Sequence, residues 1–367
     1  MQKFLNRIIC GDCIEVLGKV DEPFADLIFA DPPFNIGYKY DKYYDKVKKK
    51  NYIAWTREWM SACKKVLKPR GSFYIAIGDD YAANVKVLAD ELGLIMRNWI
   101  IWHYTFGQQT KTKFARAHTH IFYFVNDETN FTFNDYAVRV PSDRQLIYND
   151  RRANPAGKMP DDVWNGYSRV CGTFKERAGW HPCQMPESLL KRIIAASSNP
   201  GHCVLDPFSG SGTTAAAACQ LGRDYVGVEI SEQYVENTNK RLDQLKKRRS
   251  SDVFPKHSNE TTVSHVCHSE PFAALEDKLR EESLFGGLIE TLRPAQGDTG
   301  EVLSERLNVT ELEEIKRLSI DIRRTPKEIV ADKDLLELFA NQFGVRMNNQ
   351  KKYSTKVVAM VLEDLTG

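Results

Sequence analysis

The run Ile28-Phe29-Ala30 leads into Asp31-Pro32-Pro33-Phe34, with Asn35 and Gly37 close behind. Both prolines lack an N–H and fix φ, and each restricts the residue before it. A strand ending at Ala30 therefore stops there, with Asp31 held in a defined orientation. An ordinary strand exit uses the same residue types. At the carboxyl end of a strand in an open α/β sheet, however, a stiffened carboxylate followed by a flat ring suits a planar ligand.

A second constellation lies at residues 203–214, which read CVLDPFSGSGTT and run on into AAAACQLG. This is strand, glycine turn and helix, and Glu229 ends the next strand-like run, YVGVE. Gly210 and Gly212 let the backbone approach a ligand, while a carboxylate at the next strand end accepts hydrogen bonds from ribose hydroxyls, so a nucleoside-containing cofactor is expected. The lysine of a P-loop is absent. Gly210-x-Gly212-x-x-Ala215 also satisfies the loose dinucleotide form, and by itself this motif leaves a nucleotide-dependent oxidoreductase open.

The two motifs together favour methyl transfer to an aromatic amine over hydride transfer. An exocyclic amine is a poor nucleophile because its lone pair is delocalised into the ring. If the Asp31 carboxylate and the Pro33 carbonyl each accept one N–H, the nitrogen is drawn toward tetrahedral geometry and attacks a sulfonium methyl in line. Phe34 would stack on the base, as flipped-base enzymes require.

The elements that must position these residues alternate. Strand-like runs near 7–10, 26–30, 72–77, 99–104, 121–125, 203–206 and 225–229 are interleaved with helical patterns at 51–67, 80–93, 186–198, 213–221 and 231–249. Such alternation predicts βαβ units around a mostly parallel sheet. Between about 127 and 180 the periodicity breaks into a segment rich in Asn, Asp, Pro, Gly, Arg and aromatics, expected to be an insertion that binds something. Residues 250–272 are polar and irregular, as a linker is, and a helical pattern resumes over 273–367. There Thr310 with Glu313, and Thr325-Pro326-Lys327-Glu328, are capping signals.

Composition bounds the remaining choices. The 367 residues suggest two domains, and 42% hydrophobic with 27% charged residues is ordinary for a globular chain. No apolar run reaches membrane-spanning length and the N-terminus lacks a signal-like core, so a cytoplasmic protein with no membrane partner is expected. The eight cysteines read as reduced thiols, and the Cys10/Cys13 pair has no second pair at zinc spacing. His257, His265, Cys267 and His268 fall in the linker-like stretch, and no metal is expected. Net charge is only +2, but Lys39, Lys42, Lys46, Lys48, Lys49 and Lys50 interleave with Tyr38, Tyr40, Tyr43 and Tyr44, offering cations for phosphates and rings for stacking.

On these motifs the chain resembles the amino-methylating DNA methyltransferases of restriction–modification and related systems, which use S-adenosyl-L-methionine. Asp31-Pro32-Pro33-Phe34 matches their catalytic motif, with Phe where Tyr is commoner, and Asp206-Pro207-Phe208-Ser209-Gly210-Ser211-Gly212-Thr213-Thr214 matches their cofactor loop. The catalytic motif comes first, the permuted order of the β group. His181-Pro182-Cys183-Gln184-Met185-Pro186 is similar to the family's His-Pro-x-Gln-x-Pro element, with Cys183 and Met185 departing from it. The resemblance covers about residues 1–245 and implies a Rossmann-like, mostly parallel, seven-stranded sheet with helices on both faces. It implies catalytic roles for Asp31, Pro32, Pro33 and Phe34. Cofactor contacts are implied at Asp12, Asp31, His181, Pro182, Gln184, Asp206, Phe208, Ser209, Gly210, Ser211, Gly212, Thr213 and Glu229, with the Asp12 carboxylate on the adenine.

The same resemblance makes 1–249 the catalytic domain and places target recognition at about 127–180, where Arg139, Arg144, Arg151, Arg152, Arg169 and Arg177 suit guanine edges and phosphates. The loop Gly107–Arg116, with Lys111, Lys113 and Arg116, is a second DNA-facing candidate beside Lys48, Lys49 and Lys50. The expected partner is double-stranded DNA read sequence-specifically, with a homodimer and a cognate restriction endonuclease left open. Adenine N6 is the favoured target by family habit, since cytosine enzymes more often carry Ser where Asp31 stands; the cytosine 4-amino group is the rival.

Overall fold

The computed structural model describes residues 4–108, 111–146, 148, 150, 152–172, 174 and 176–250, then 311, 314, 315, 318, 319, 321, 322, 324–347 and 353–364. Most of the expected linker, Arg151, the Thr310/Glu313 pair and the His257–His268 group lie outside the described residues. The chain divides into two compact units, one of residues 1–138 with 160–242 and one of 139–159 with 243–367.

The first unit is built on one sheet. Its strands are β1 (Arg7–Cys10), β2 (Ala25–Ala30), β5 (Leu67–Ile77), β6 (Ile95–Gln108), β7 (Arg116–Val125), β8 (Val163–Trp164), β9 (Cys203–Asp206) and β10 (Asp224–Glu229). They lie in the order β1-β10-β9-β2-β5-β7-β6-β8, in which β1, β10, β9, β2 and β5 are mutually parallel and β7 runs antiparallel to both its neighbours. All seven predicted strands are present. The eighth, the two-residue β8, comes from the middle of the insertion and pairs with β6, so the sheet is one strand wider than expected. A two-residue segment carries no periodicity that a sequence pattern can register.

The central strands are covered on both faces, so they read as unbroken apolar runs, β2 being ADLIFA. Between them stand α1 (Cys13–Gly18), α2 (Lys49–Val66), α3 (Asp79–Glu91), α5 (Glu187–Ser197), α6 (Thr213–Gln220) and α7 (Glu232–Ser250). Helix α2 buries Tyr52, Thr56, Trp59, Met60, Cys63 and Val66, the three-and-four spacing of a helix with one face on a sheet. A small hairpin, β3 (Tyr38–Lys39) with β4 (Tyr44–Asp45), precedes α2.

The second unit joins part of the insertion to the C-terminal helices. It contains α4 (Asp143–Leu146), α8 (Pro326–Ala331), α9 (Lys333–Arg346) and α10 (Thr355–Asp364). Its core holds Ile315, Leu318, Ile322, Ile329, Phe339, Phe343, Val358, Val361 and Leu362, with Leu146 packed against it. The predicted Thr325 box caps α8, with Pro326 at its first position. The division cuts across the expected one: residues 139–159 of the 127–180 region group with the C-terminal helices, and 127–138 and 160–180 with the catalytic sheet. Contacts between segments distant in sequence decide that grouping, and composition does not record them.

Candidate active site

Strand order assembles the site. Because β1, β10, β9 and β2 are parallel neighbours, their carboxyl ends share one edge, bringing Asp12, Glu229, Asp206 and Asp31 to a single cavity. With strands about 4.8 Å apart, three steps separate the Asp12 end from the Asp31 end by about 14 Å, room for an extended nucleoside-type ligand. The cavity measures about 690 Å³.

Its catalytic end is more constrained than the motif alone suggests. The Pro33 carbonyl accepts a hydrogen bond from the Tyr52 hydroxyl at 2.6 Å, which orients it and leaves one lone pair. The Phe34 ring lies over Gly78, where an added Cβ would approach it to 3.3 Å. Asn35 takes φ 60° and ties the loop down: its N–H donates to Asp45 Oδ1 at 2.7 Å, and its side-chain amide donates to Val47 O at 3.0 Å and accepts from Val47 N at 2.7 Å. Burial first, and the neighbouring Asp206 second, push the Asp31 carboxyl up to about 7, against a lowering pull from Arg169. Arg169, one of the six arginines assigned to target reading, thus lines the catalytic cavity and sits over the Tyr104 ring at 5.2 Å.

At the cofactor end, Gly210 and Gly212 adopt φ +49° and +73°, backbone that favours glycine. A Cβ on Gly210 would meet the His181 imidazole at 2.9 Å, and one on Gly212 would strike Thr238. Glu229 accepts from Gly210 N at 2.8 Å and from Ser231 N at 2.9 Å, so it shapes the loop as well as facing the cavity. Burial pushes its carboxyl up and pulls His181 down to about 4, which leaves a neutral imidazole. Asp206 is pushed up to about 7 by burial, while its Oδ1 accepts from Phe208 N at 2.9 Å. The Ser209 hydroxyl is buried with no partner among the described residues, an unspent polar atom on the cavity wall.

Several expected contacts have other work. The Gln184 amide is spent on the backbone, accepting from Ala178 N at 2.7 Å and donating to Glu176 O at 2.7 Å. Asp12 Oδ1 caps α1 through Ile14 N at 2.7 Å. Pro182 is exposed and does not line the cavity, nor do Gly212 and Thr213, whereas Thr214 does. Tyr40 and Tyr43 stack at 4.8 Å and line the cavity, so these rings of the lysine–tyrosine loop belong to its wall. Asp41 in the same loop accepts from Ser231 Oγ at 2.7 Å. Lys48, Lys49 and Lys50 are exposed, as are Lys111 and Lys113, but Arg116 is tied to Asp79 at 3.1 Å and Asp80 at 3.5 Å. Arg152 pairs with Asp150 at 3.0 Å. Tyr52 and Tyr104 had no local signal; Thr214 stood inside the cofactor-loop motif without being singled out, Arg169 was read as a DNA contact and not as part of the cavity, and Asn35-x-Gly37 was a readable turn pattern.

The sequence profile of the DNA methylase family covering N6 and N4 enzymes matches residues 25–240. The chain belongs to that family. This methylase is 38% identical over 239 residues to the type II methyltransferase M.HpaI of Haemophilus parainfluenzae, covering 65% of this chain and 74% of that one. It is 40% identical over 248 residues to the DNA adenine methyltransferase YhdJ of Escherichia coli (strain K12), covering 65% and 83%. In fold the methylase is similar to the cytosine-N4-specific PvuII DNA methyltransferase, with TM-score 0.51, 18% identity, and 66% of this chain and 94% of that one covered. M1.HpyAVI, solved as a complex with SAM, aligns with TM-score 0.47 and 22% identity over 65% of this chain and 98% of that one.

Replacing Glu229 separates its two roles. Glu229→Gln keeps one acceptor oxygen, able to serve Gly210 N but not Ser231 N as well, and removes the charge; it is expected to weaken nucleoside-cofactor binding by less than Glu229→Ala, which loses about 1.5–3 kcal/mol of charge-assisted hydrogen bonding. Calorimetric titration with S-adenosyl-L-methionine checks this, and equal affinities across wild type and both variants would remove Glu229 from the cofactor site.

Proposed function

We propose that the methylase transfers a methyl group to the N6 amine of adenine within a specific sequence of double-stranded DNA. The observation that carries the reading is the Asp31 carboxyl at the end of β2, beside a Pro33 carbonyl already aimed by Tyr52 and a Phe34 ring seated over Gly78. Two acceptors and a stacking face are what a planar base with one exocyclic amine requires.

S-adenosyl-L-methionine, when bound, supplies an electrophilic methyl on a sulfonium. The cavity fits it: a carboxylate faces each end, glycine backbone gives close approach at residue 210, and the unspent Ser209 hydroxyl offers a polar contact. Asp12 and Glu229 would hold the nucleoside portion and Ser209, Gly210 and Ser211 the amino-acid side. Asp31 accepts one N–H of the base amine and Pro33 O the other, which localises the nitrogen lone pair toward the methyl. A carboxylate poised near 7 also suits removal of the proton released by the methylated nitrogen. The stacked rings of Tyr40 and Tyr43 give the cavity wall an apolar surface, which favours loss of water when the base enters.

Nucleic acid is the partner this reading requires; it requires neither a second copy of the chain nor a cognate endonuclease. No described helix is long and apolar enough to cross a membrane, and the substrate places the protein with cytoplasmic DNA. The test is nucleoside mass spectrometry of DNA treated with purified enzyme and isotopically labelled S-adenosyl-L-methionine, with single-molecule sequencing to find the site. Labelled N6-methyladenine is expected. Labelled 4-methylcytosine alone would reassign the base, and no labelled nucleoside would end the reading.

DNA phosphates are assigned to Lys48, Lys49 and Lys50. They are exposed at the first turn of α2, where the helix dipole disfavours cations, so an external anion relieves them. Changing all three to Gln is expected to weaken binding to every DNA and to flatten the log–log salt slope by about 0.9 per lost phosphate contact. An altered site preference in that variant, measured at two salt concentrations, would contradict a phosphate role.

A further inference from the structure

We propose that residues 139–159 and the C-terminal helices form one DNA-reading module, in which Asp150 presets Arg144 and Arg152 for guanine. The proposal rests on the DNA-methylating reading above, and concerns how its sequence is chosen.

The segment is a closed loop standing on a helical mount. Val140 and Lys158 pair antiparallel, with Val140 N donating to Lys158 O at 2.9 Å and Lys158 N to Val140 O at 2.7 Å. Helix α9 grips both feet: Arg346 Nε donates to Arg139 O at 2.8 Å and Gln342 Nε2 to Ala156 O at 3.2 Å. Leu146, from α4, packs against the core of the C-terminal helices. Those helices therefore hold the loop in one shape, which is what recognition of a fixed base edge needs.

At the other end Asp150 gathers two guanidinium groups. Its Oδ1 accepts from Arg152 N and Nε, both at 3.0 Å. Its Oδ2 accepts from Arg152 Nη2 at 3.1 Å and from Arg144 Nε and Nη2 at 3.1 and 2.6 Å. Arg152 and then Arg144 hold the Asp150 carboxyl well below the usual range, so it stays ionised. Among the described residues each arginine side chain spends its Nε–Nη2 edge on Asp150, which leaves the N–H groups of Nη1 and the second of Nη2 for a ligand. The side chains are 85% and 57% exposed for Arg152 and Arg144. Exposed ion pairs add little stability. What this one supplies is a fixed fork, carrying net positive charge, of the shape that meets guanine O6 and N7. Holding the rotamers beforehand removes an ordering cost at binding.

The test uses the full chain, once its site is known from sequencing of methylated DNA. Methylation rates are measured on the cognate site and every single-base variant for wild type, Asp150→Ala, Arg152→Lys and Leu146→Ala. Cofactor affinity is followed by calorimetry and folding by circular dichroism. Asp150→Ala and Arg152→Lys are expected to keep cofactor affinity, raise KM for DNA, and lower discrimination at one guanine by roughly 5- to 150-fold, the value of one bidentate contact. Leu146→Ala, which loosens the mount, is expected to weaken discrimination at that same position. Unchanged discrimination in all three variants overturns the proposal, as does an even loss across all positions, the mark of a merely structural role. A wild-type enzyme that binds cofactor but methylates no DNA would fault the functional reading instead.

Discussion

Asp31→Asn is expected to lower methyl transfer by about 10²–10⁴-fold while leaving S-adenosyl-L-methionine affinity within a few-fold. The substitution keeps the volume and one acceptor oxygen but removes the charge and the ability to take a proton. Because burial and Asp206 raise the wild-type carboxyl to about 7, activity is expected to fall as pH drops through 7, and this limb should vanish in the variant. The stability effect has the opposite sign. A carboxyl whose folded pKa lies above its unfolded value of 3.8 contributes its stability below that value and loses it as pH rises to about 7. Asp31→Asn, which has no charge to bury, is therefore expected to melt at a higher temperature than wild type at pH 8, with the gap closing toward pH 4. An active site that is costly to hold charged is a common trade of stability for function. Single-turnover rates and melting curves across pH check both halves; a variant with near wild-type rate would remove Asp31 from the chemistry.

Arg346→Ala is expected to destabilise the C-terminal unit by about 3–5 kcal/mol, because it strands buried charges. The Arg346 side chain is 1% exposed and bridges Glu314 Oε1 at 2.8 Å and Asp321 Oδ2 at 2.7 Å, with Asp321 itself 3% exposed. Burial works against the guanidinium charge, but the two carboxylates outweigh it and hold the group protonated. Scanning calorimetry is expected to show one transition lowered, and a second that rises when cofactor is added and that the substitution leaves in place. Replacing all three residues by apolar ones of similar volume should recover much of the loss, since a packed apolar cluster substitutes well for a buried ion triad. If the single variant melts as wild type does, the triad is not what holds that unit together.

The chemistry was legible in short runs of sequence because local rules dictate it. Two prolines after Ala30 stop a strand and present Asp31; glycines at 210 and 212 stand where φ is positive; Thr325-Pro326 starts a helix. Period and apolar runs were enough to place all seven long strands and five of the helices. Strand order was not legible. Nothing local says that β10 and β9 lie between β1 and β2, yet that order alone brings Glu229 and Asp206 between Asp12 and Asp31. Likewise, only the folded chain revealed that Tyr52 orients Pro33 O and that Arg169 lines the cavity, and only the path of the irregular loop before it showed that Gln184 is consumed by the nearby backbone of Glu176 and Ala178. The same holds for residues 139–159, whose arginines suggested reading but whose mount is a set of helices nearly two hundred positions away in sequence. Dihedral preference and periodicity act within a turn or a strand. Which surfaces meet is settled by burying the apolar faces of whole elements against one another, and that sum exists only in the folded chain.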